Sequence, residues 1–185
     1  MNYQNTVTLT NGQTCLLRTL TAEDAAETLT VFNRTHEETD YMLIYLEEST
    51  FGLSEETDFL RNAAQSDRKI EIGAFVDGVL VGSAGIGPVG DKIKNRHRAK
   101  FGIGILREYW HRGIGRELTA ACIDCARSAG YLQLELEAVA ENEHALALYR
   151  KAGFVEYGRN PKGFRTKDGR WQPLILMRLD LTEGD

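Results

Sequence analysis

The distribution of apolar residues predicts eight strands and four helices. Alternating or continuous apolar segments, separated in places by Asn-Gly and Asp-Gly pairs that favour hairpin turns, predict the strands. Apolar residues at helical spacing predict the helices. The strands are expected at 6–9, 14–19, 70–76, 79–86, 101–106, 132–139, 155–167 and 171–181. The helices are expected after Thr21, over 54–65, from Gly113 to Ala129 and after Asn142.

The order of these elements predicts the fold class. No internal repeat, low-complexity tract or linker interrupts the sequence, so we expect residues 1–185 to form a single domain. Hairpins interleaved with helices favour an α/β (α+β) architecture, in which one mixed, mostly antiparallel twisted sheet is flanked by helices on both faces.

A glycine-rich turn joins one predicted strand to one predicted helix. Glycine alternates with large apolar residues over 101–106, which predicts a strand with one face open to a ligand. Gly113 and Gly115 let the main chain approach that ligand, and the first helical turn offers free N–H groups and the positive end of the helix dipole. Arg112 and Arg116 add charge, so we interpret the turn as a phosphate site. Alone, this short sequence is also compatible with a tight surface loop, and it matches neither a P-loop nor a dinucleotide fingerprint.

The composition is that of an ordinary soluble domain. The chain of 185 residues is 42% hydrophobic and 26% charged. No apolar run approaches the ~20 residues needed to span a bilayer, and the N-terminal sequence lacks the basic and apolar regions of a signal peptide. We therefore expect a cytoplasmic protein with no membrane partner.

Charge is distributed unevenly along the chain, whose net charge is -5. Residues 1–90 contain 5 Lys and Arg against 14 Asp and Glu, whereas residues 91–185 contain 17 against 13. An acidic half beside a basic half would suit a cationic acceptor and an anionic cofactor, although solvated surface charge explains most acidic runs. Because nucleic-acid binders are usually basic overall, no nucleic-acid partner is expected.

Two further features have a functional and a structural interpretation. The segment 37–48 places Tyr41 and Tyr45 among five carboxylates, which suits either an amine pocket or a plain surface segment. Cys122 and Cys125 match the C-x-x-C spacing of metal and redox pairs. Both cysteines fall on the apolar face of the predicted helix without a second ligand pair, so we interpret them as core residues and expect no metal.

Two sequence motifs carry a resemblance to a known family. The first is Trp110-His-Arg-Gly-Ile-Gly-Arg116, and the second is the pattern Asn142…Ala145…Leu148-Tyr149…Gly153-Phe154. In this order, with Leu136-Glu137 between them, they resemble the GNAT superfamily of acetyl-CoA-dependent N-acetyltransferases. The resemblance covers roughly residues 97–181. It implies the acyl-CoA N-acyltransferase fold and acetyl-CoA as the cosubstrate.

The resemblance also implies roles for individual residues. The main chain of Ile103, Gly104 and Ile105 would bind the pantetheine arm like an added strand. Asn142 would contact the cofactor further along, and Tyr149 would donate a proton to the departing thiolate. The pyrophosphate would be held by the backbone N–H groups of His111, Arg112, Gly113, Ile114, Gly115 and Arg116. The family often has Gln or Arg where Trp110 stands and glycine where His111 stands, so this chain departs from it in side-chain contacts.

An acceptor amine must lose a proton before it attacks a thioester, because a pKa of ~10.4 keeps it protonated at neutral pH. Glu137 is the candidate base, since it matches the base of relatives with an L-E-x-x-x-x-N pattern; the alternative is a solvated strand carboxylate. Some relatives use a Glu before the cofactor strand, where this chain has Lys100. No cysteine is placed to form an acyl-enzyme, so we expect direct attack.

The acceptor and two rival functions stay open at this point. The acceptor is either a small-molecule amine or a protein or peptide amine. A non-catalytic acyl-CoA-binding sensor would need neither Tyr149 nor Glu137. A transferase for another acyl-CoA donor would need a cationic residue near the acyl pocket. A homodimer is compatible with the sequence.

Overall fold

The structure, a computed structural model, describes residues 1–182. Its strands and helices agree with the predicted elements to within a few residues. The strands are β1 (Gln4–Thr8), β2 (Thr14–Thr19), β3 (Ile70–Val76), β4 (Val79–Pro88), β5 (Arg98–Ile105), β6 (Gln133–Val139), β7 (Val155–Arg165) and β8 (Trp171–Asp180). The helices are α1 (Ala25–Glu37), α2 (Leu53–Ala64), α3 (Ile114–Ser128) and α4 (Glu143–Lys151).

All eight strands form one sheet in the order β1-β2-β3-β4-β5-β6-β8-β7. Neighbouring strands are antiparallel except β5 and β6, which are parallel and connected through α3. A parallel pair needs a crossover connection, and α3 supplies it. The predicted fold class, a mixed and mostly antiparallel sheet with helices on both faces, is confirmed.

Two hydrophobic clusters hold the helices against opposite faces of the sheet. Leu118 of α3 and Ile72 of β3 belong to the larger cluster, which also includes the cysteine pair 122 and 125. Leu60 of α2 and Phe75 of β3 belong to the smaller one. Because side chains alternate across a strand, α3 and α4 cover one face while α1 and α2 cover the other. Both cysteines are buried, which confirms their interpretation as core residues.

β5 and β6 are paired over only three residues, and the pairing ends at Lys100 and Glu135. β5 continues to Ile105 with β4 as its only partner strand, and β6 continues to Val139 paired with β8. The facing edges of the two strands therefore diverge. This opening lies between the two helical layers and positions the candidate site.

Local signals in the sequence fix the ends of the helices around this opening. Asp24 precedes α1 and accepts the amide of Thr21 at 2.8 Å, as part of a capping box. Asn142 precedes α4 and accepts the amide of Ala145 at 3.2 Å. α3 ends just before Gly130, whose φ is +75°. Of the helices in the described part of the chain, none is long and apolar enough to cross a membrane.

Candidate active site

A cleft of about 820 Å³ follows the opening between β5 and β6. It is bordered by β5 and α3, by β6 and α4, and by the segment that follows α1. Arg112 and Tyr149 are the two predicted site residues that do not line it. The predicted site residues that do line it are Ile103, Gly104, Ile105, His111, Gly113, Ile114, Gly115, Arg116, Glu137 and Asn142.

The turn between β5 and α3 presents a row of free backbone donors. The amides of residues 111–116 donate to no backbone carbonyl within residues 1–182. Gly113 has a φ of +92°, in the left-handed region where glycine is least strained. A Cβ built on Gly115 would lie 3.1 Å from the Cδ2 of Leu148, so this glycine lets α3 pack closely on α4. Free donors at a helix N-terminus favour an anion here.

The two arginines of this turn occupy different environments. The guanidinium of Arg112 donates to the carbonyl of Glu108 at 2.7 Å and to the side chain of Gln13 at 3.2 Å. Arg116 lines the cleft and pairs with Glu117 at 2.6 Å. Of the two, Arg116 therefore brings its charge to the anion site, whereas Arg112 contributes only its amide.

Trp110 and His111, the two departures from the usual family residues, both have defined contacts. The indole N–H of Trp110 donates to the carbonyl of Ile105 at 2.7 Å, which ties the end of β5 to the turn. His111 has a φ of +61°, a conformation that costs glycine less than histidine. Its ring centroid lies 4.8 Å from that of His144 on α4. The sequence did not identify His144, which lines the cleft beside the turn.

Other residues of the cleft also carry no signature in the sequence. Lys151 and Arg127, in the last turns of α4 and α3, bring two more positive charges to it. Thr35 and Met42 approach Gly104 from the α1 side, with side-chain atoms 3.6 and 3.9 Å from a Cβ built there. Helical spacing from Leu148 would have identified Lys151 once the cleft face of α4 was known.

Tyr149 lies in the core beside the cleft. Its ring centroid is 6.0 Å from those of both Phe101 and Phe154, and the residue is 7% exposed. Ala145 of the same helix and Ala152, which follows its last residue, line the cleft, whereas Tyr149 does not. Burial raises the pKa of Tyr149 to about 12. Its hydroxyl therefore carries a proton at neutral pH, as a proton donor must.

Glu137 and Glu135 project from the same face of β6 into different surroundings. Glu137 is exposed and lines the cleft. Glu135 is buried in a bidentate ion pair with Arg98, and hydrogen bonds from Arg98 and Gln133 lower the pKa of Glu135. Glu137 is thus the carboxylate of this pair that a ligand in the cleft can reach. His97, a further candidate base, does not line the cleft.

Several carboxylates of the segment 37–48 are engaged within the protein. Glu38 accepts the amide of Arg107 at 2.6 Å, and Glu47 pairs with Lys167. Tyr41 lines the cleft. The segment therefore contributes aromatic and hydroxyl groups to the cleft rather than a row of free carboxylates.

Within residues 1–182, no group of three or more His, Cys, Asp and Glu side chains could hold a metal ion. Burial raises the pKa of Cys122 well above its usual value and that of Cys125 to about 11. Both thiols are therefore protonated at neutral pH.

Known proteins are similar to this chain in sequence and in fold. Residues 32–154 match the Acetyltransferase (GNAT) family. The L-amino acid N-acyltransferase MnaT of Escherichia coli is 31% identical over 107 residues, covering 58% of this chain and 62% of that protein. The N-alpha-acetyltransferase RimI of Mycobacterium tuberculosis is 38% identical over 94 residues, covering 51% of this chain and 57% of that protein. Each alignment thus spans less than two thirds of the relative.

A solved structure extends the likeness over most of the chain. The acetyltransferase of the GNAT family from Streptococcus pneumoniae superposes with a TM-score of 0.85 at 30% identity, covering 89% of this chain and 98% of that one. The family match includes β5, the turn of residues 111–116 and α4, which supply most of the cleft. The chain therefore belongs to the acetyltransferase (GNAT) family.

Proposed function

We propose that this chain transfers the acetyl group of acetyl-CoA to a primary amine by direct attack, with residues 1–185 acting as one catalytic domain. The divergence of β5 and β6 beside the free amides of residues 111–116 carries the proposal. A long ligand with an anionic end and a hydrogen-bonding arm would use both features at once.

The chemistry of acetyl-CoA suits the groups that line the cleft. The amides of residues 111–116 and the charge of Arg116 would hold the pyrophosphate. The unpaired edge of Ile103–Ile105 would form main-chain hydrogen bonds with the pantetheine arm. Asn142 uses its side-chain oxygen to cap α4, which leaves its amide group for the cofactor. When bound, acetyl-CoA supplies the thioester.

Proton transfers at the two ends of the reaction would fall to Glu137 and Tyr149. Glu137 would take a proton from the acceptor ammonium. The amine nitrogen would then bond to the carbonyl carbon of the thioester, and the carbon–sulfur bond would break. The departing thiolate would receive the proton of the Tyr149 hydroxyl, which solvent later replaces. The position of Glu137 in the cleft supports the first role, and the burial of Tyr149 beside the cleft in its protonated form is compatible with the second.

The acceptor is proposed as a primary amine of a small molecule or of a protein or peptide. One relative is named an L-amino acid N-acyltransferase and the other an N-alpha-acetyltransferase. Both names describe acylation of an amine, and they favour testing α-amines first.

Thiol release from acetyl-CoA in the presence of single amines tests the proposal. The panel should contain amino acids, peptides with free N-termini and polyamines. We expect release with at least one acceptor, together with a product that mass spectrometry shows to carry one added acetyl group. Tight acetyl-CoA binding without release for any amine would support the sensor function instead.

A further inference from the structure

A row of residues crosses the α1–α2 face of the sheet and ends at Glu137. Glu71 of β3 pairs with Gly85 of β4, which pairs with Gly102 of β5. β5 and β6 are no longer paired beyond Lys100 and Glu135, so Glu137, two residues further along β6, lies across the opening from Gly102 on the same face of the sheet. Two carboxylates thus stand at the ends of a row whose middle positions are glycines.

Because the two middle residues of the row are glycines, they have no side chains on this face of the sheet. The carboxyl of Glu71 lies over Gly85, with its Oε1 1.9 Å from a Cβ built on that glycine. Gly102 is exposed, and a Cβ built there has no atom within 4 Å. Gly104, the next residue on the same face of β5, lines the cleft. Between the Glu71 carboxyl and Glu137, the open position at Gly102 therefore leaves a gap in the side chains, here called the groove, two residues along β5 from the cleft-lining Gly104.

The far end of this groove holds carboxyl groups without a cationic partner. Glu56 of α2 is 4% exposed, and neither Glu56 nor Glu71 is ion-paired within residues 1–182. Burial, with a smaller effect of the Glu56 charge, raises the pKa of Glu71 to about 8. Glu71 is half-buried, and neither its carboxyl nor that of Glu56 is among the fully buried side-chain atoms without a partner, so both keep access to solvent. A positive group of a ligand would supply the partner that these two lack.

We propose that the groove binds an acceptor with two cationic nitrogens, one beside Glu137 for acetylation and the other held by Glu71. Three strand spacings of about 4.8 Å separate the two main chains by at least roughly 14 Å, and both side chains shorten the gap. A short aliphatic diamine fits between the carboxylates. The proposed function identifies only which nitrogen reacts; binding in the groove does not depend on it.

Putrescine and pentylamine provide the test, because pentylamine replaces one ammonium of the diamine with a methyl group. At pH 8.5, above the pKa of about 8 of the Glu71 carboxyl, we expect kcat/KM of the wild type for putrescine to exceed that for pentylamine by about tenfold or more, since hydrogen bonds between charged groups are the strong ones. The substitution Glu71→Gln should remove this preference by lowering kcat/KM for putrescine much more than for pentylamine. Equal effects on both amines, or no preference in the wild type, would overturn the proposal.

Two control variants separate a local effect from general damage. Glu27 is an exposed carboxylate on α1, and Glu27→Gln should leave the preference for the diamine intact. Gly102→Leu should fold, because its side chain enters open space, but it should fill the groove. We expect it to weaken putrescine use by about tenfold or more with acetyl-CoA affinity unchanged. Full putrescine use by this variant would place the amine elsewhere.

Calorimetric titration of putrescine into the protein saturated with CoA gives an answer without turnover. Binding in the wild type that Glu71→Gln weakens by about tenfold or more supports the groove even if no thiol is ever released, in which case only the proposed function fails. Absence of binding, or equal binding by both proteins, contradicts the groove whether or not another amine is acetylated.

Discussion

The two sides of the cleft are built from different kinds of sequence. The side that we propose binds the cofactor, called the cofactor side, comes from one stretch of chain, residues 103–152, and consists largely of main-chain groups on β5, α3 and α4. The side that we propose binds the acceptor, called the acceptor side, combines Thr35 and Tyr41 with Glu137 and, by the further proposal, with Glu71. A main-chain site needs glycines and helix starts at fixed spacing, whereas a side-chain site can be assembled from distant segments. The first kind is therefore much easier to identify from a sequence.

The largest effect is expected from substitutions of the glycines on the cofactor side. Gly113→Asp and Gly115→Asp each place a side chain and a negative charge against the proposed pyrophosphate site. We expect calorimetry to show acetyl-CoA affinity reduced by more than roughly a hundredfold, because like charges in contact cost several kcal/mol. Gly130→Asp is the matched control, since Gly130 also has a positive φ but lies at the other end of α3. A folded Gly113→Asp variant with unchanged acetyl-CoA affinity would contradict the assignment of the pyrophosphate site to this turn.

Tyr149→Phe tests whether the core residue beside the cleft takes part in chemistry. The substitution keeps the ring contacts and removes only the hydroxyl, so we expect kcat to fall roughly ten- to a thousandfold with acetyl-CoA affinity nearly unchanged. Tyr131→Phe is the control, because the buried hydroxyl of Tyr131 donates to the carbonyl of Arg68, outside the cleft. Full kcat in Tyr149→Phe, with chemistry rate-limiting, would mean that this tyrosine is structural.

Glu137→Gln tests whether this carboxylate, on the acceptor side, is the general base. Without the carboxylate, we expect kcat/KM near pH 7 to fall by roughly ten- to a hundredfold and the acidic limb of the pH–rate profile to disappear. Glu143→Gln, at an exposed carboxylate on α4 outside the cleft, should leave the profile as it is. An acidic limb that persists in Glu137→Gln would assign the base to another group, with Glu135 acting through water as the next candidate.

The smallest expected effect concerns stability and needs no substrate. The pKa of Glu71 is raised in the folded protein to about 8 from 4.5, so folding favours the protonated carboxyl. The contribution of this protonated carboxyl to the free energy of unfolding is complete at low pH and is lost as the pH rises through 8. Relative to Glu71→Gln, the wild type should lose on the order of 5 °C in Tm between pH 5.5 and pH 8.5. A difference in Tm that does not change with pH would show that Glu71 is ionised throughout.

Much of the fold could be predicted because local signals agree with the tertiary structure. The strand Ile70–Val76 has the predicted bounds, and Asp77-Gly78 forms the predicted turn, with φ of +52° and +81°. The glycine turn before α3 was equally accessible, since Gly113 has the positive φ that favours glycine. Its role in anion binding stays a prediction. These features depend on residues close together in the chain.

Side-chain environments created by distant segments could not be predicted in the same way. The hydrogen bond from the amide of Arg107 to the carboxylate of Glu38 joins residues 69 positions apart, and nothing in the local sequence around either residue indicates it. Tyr149 shows a second limit, because one residue along a helix turns the side chain by about 100°. A small difference in helix orientation therefore decides whether its ring faces the cleft or the core.

The short pairing of β5 and β6 makes the cofactor side observable by hydrogen exchange. Strand amides outside a ladder exchange with solvent far faster than those within it. Donors among residues 103–105 that face the opening, and the amides of 111–116, should therefore exchange rapidly in the free protein and slowly once acetyl-CoA binds. These few protons would report cofactor occupancy residue by residue, before any acceptor for the acetyl group is known.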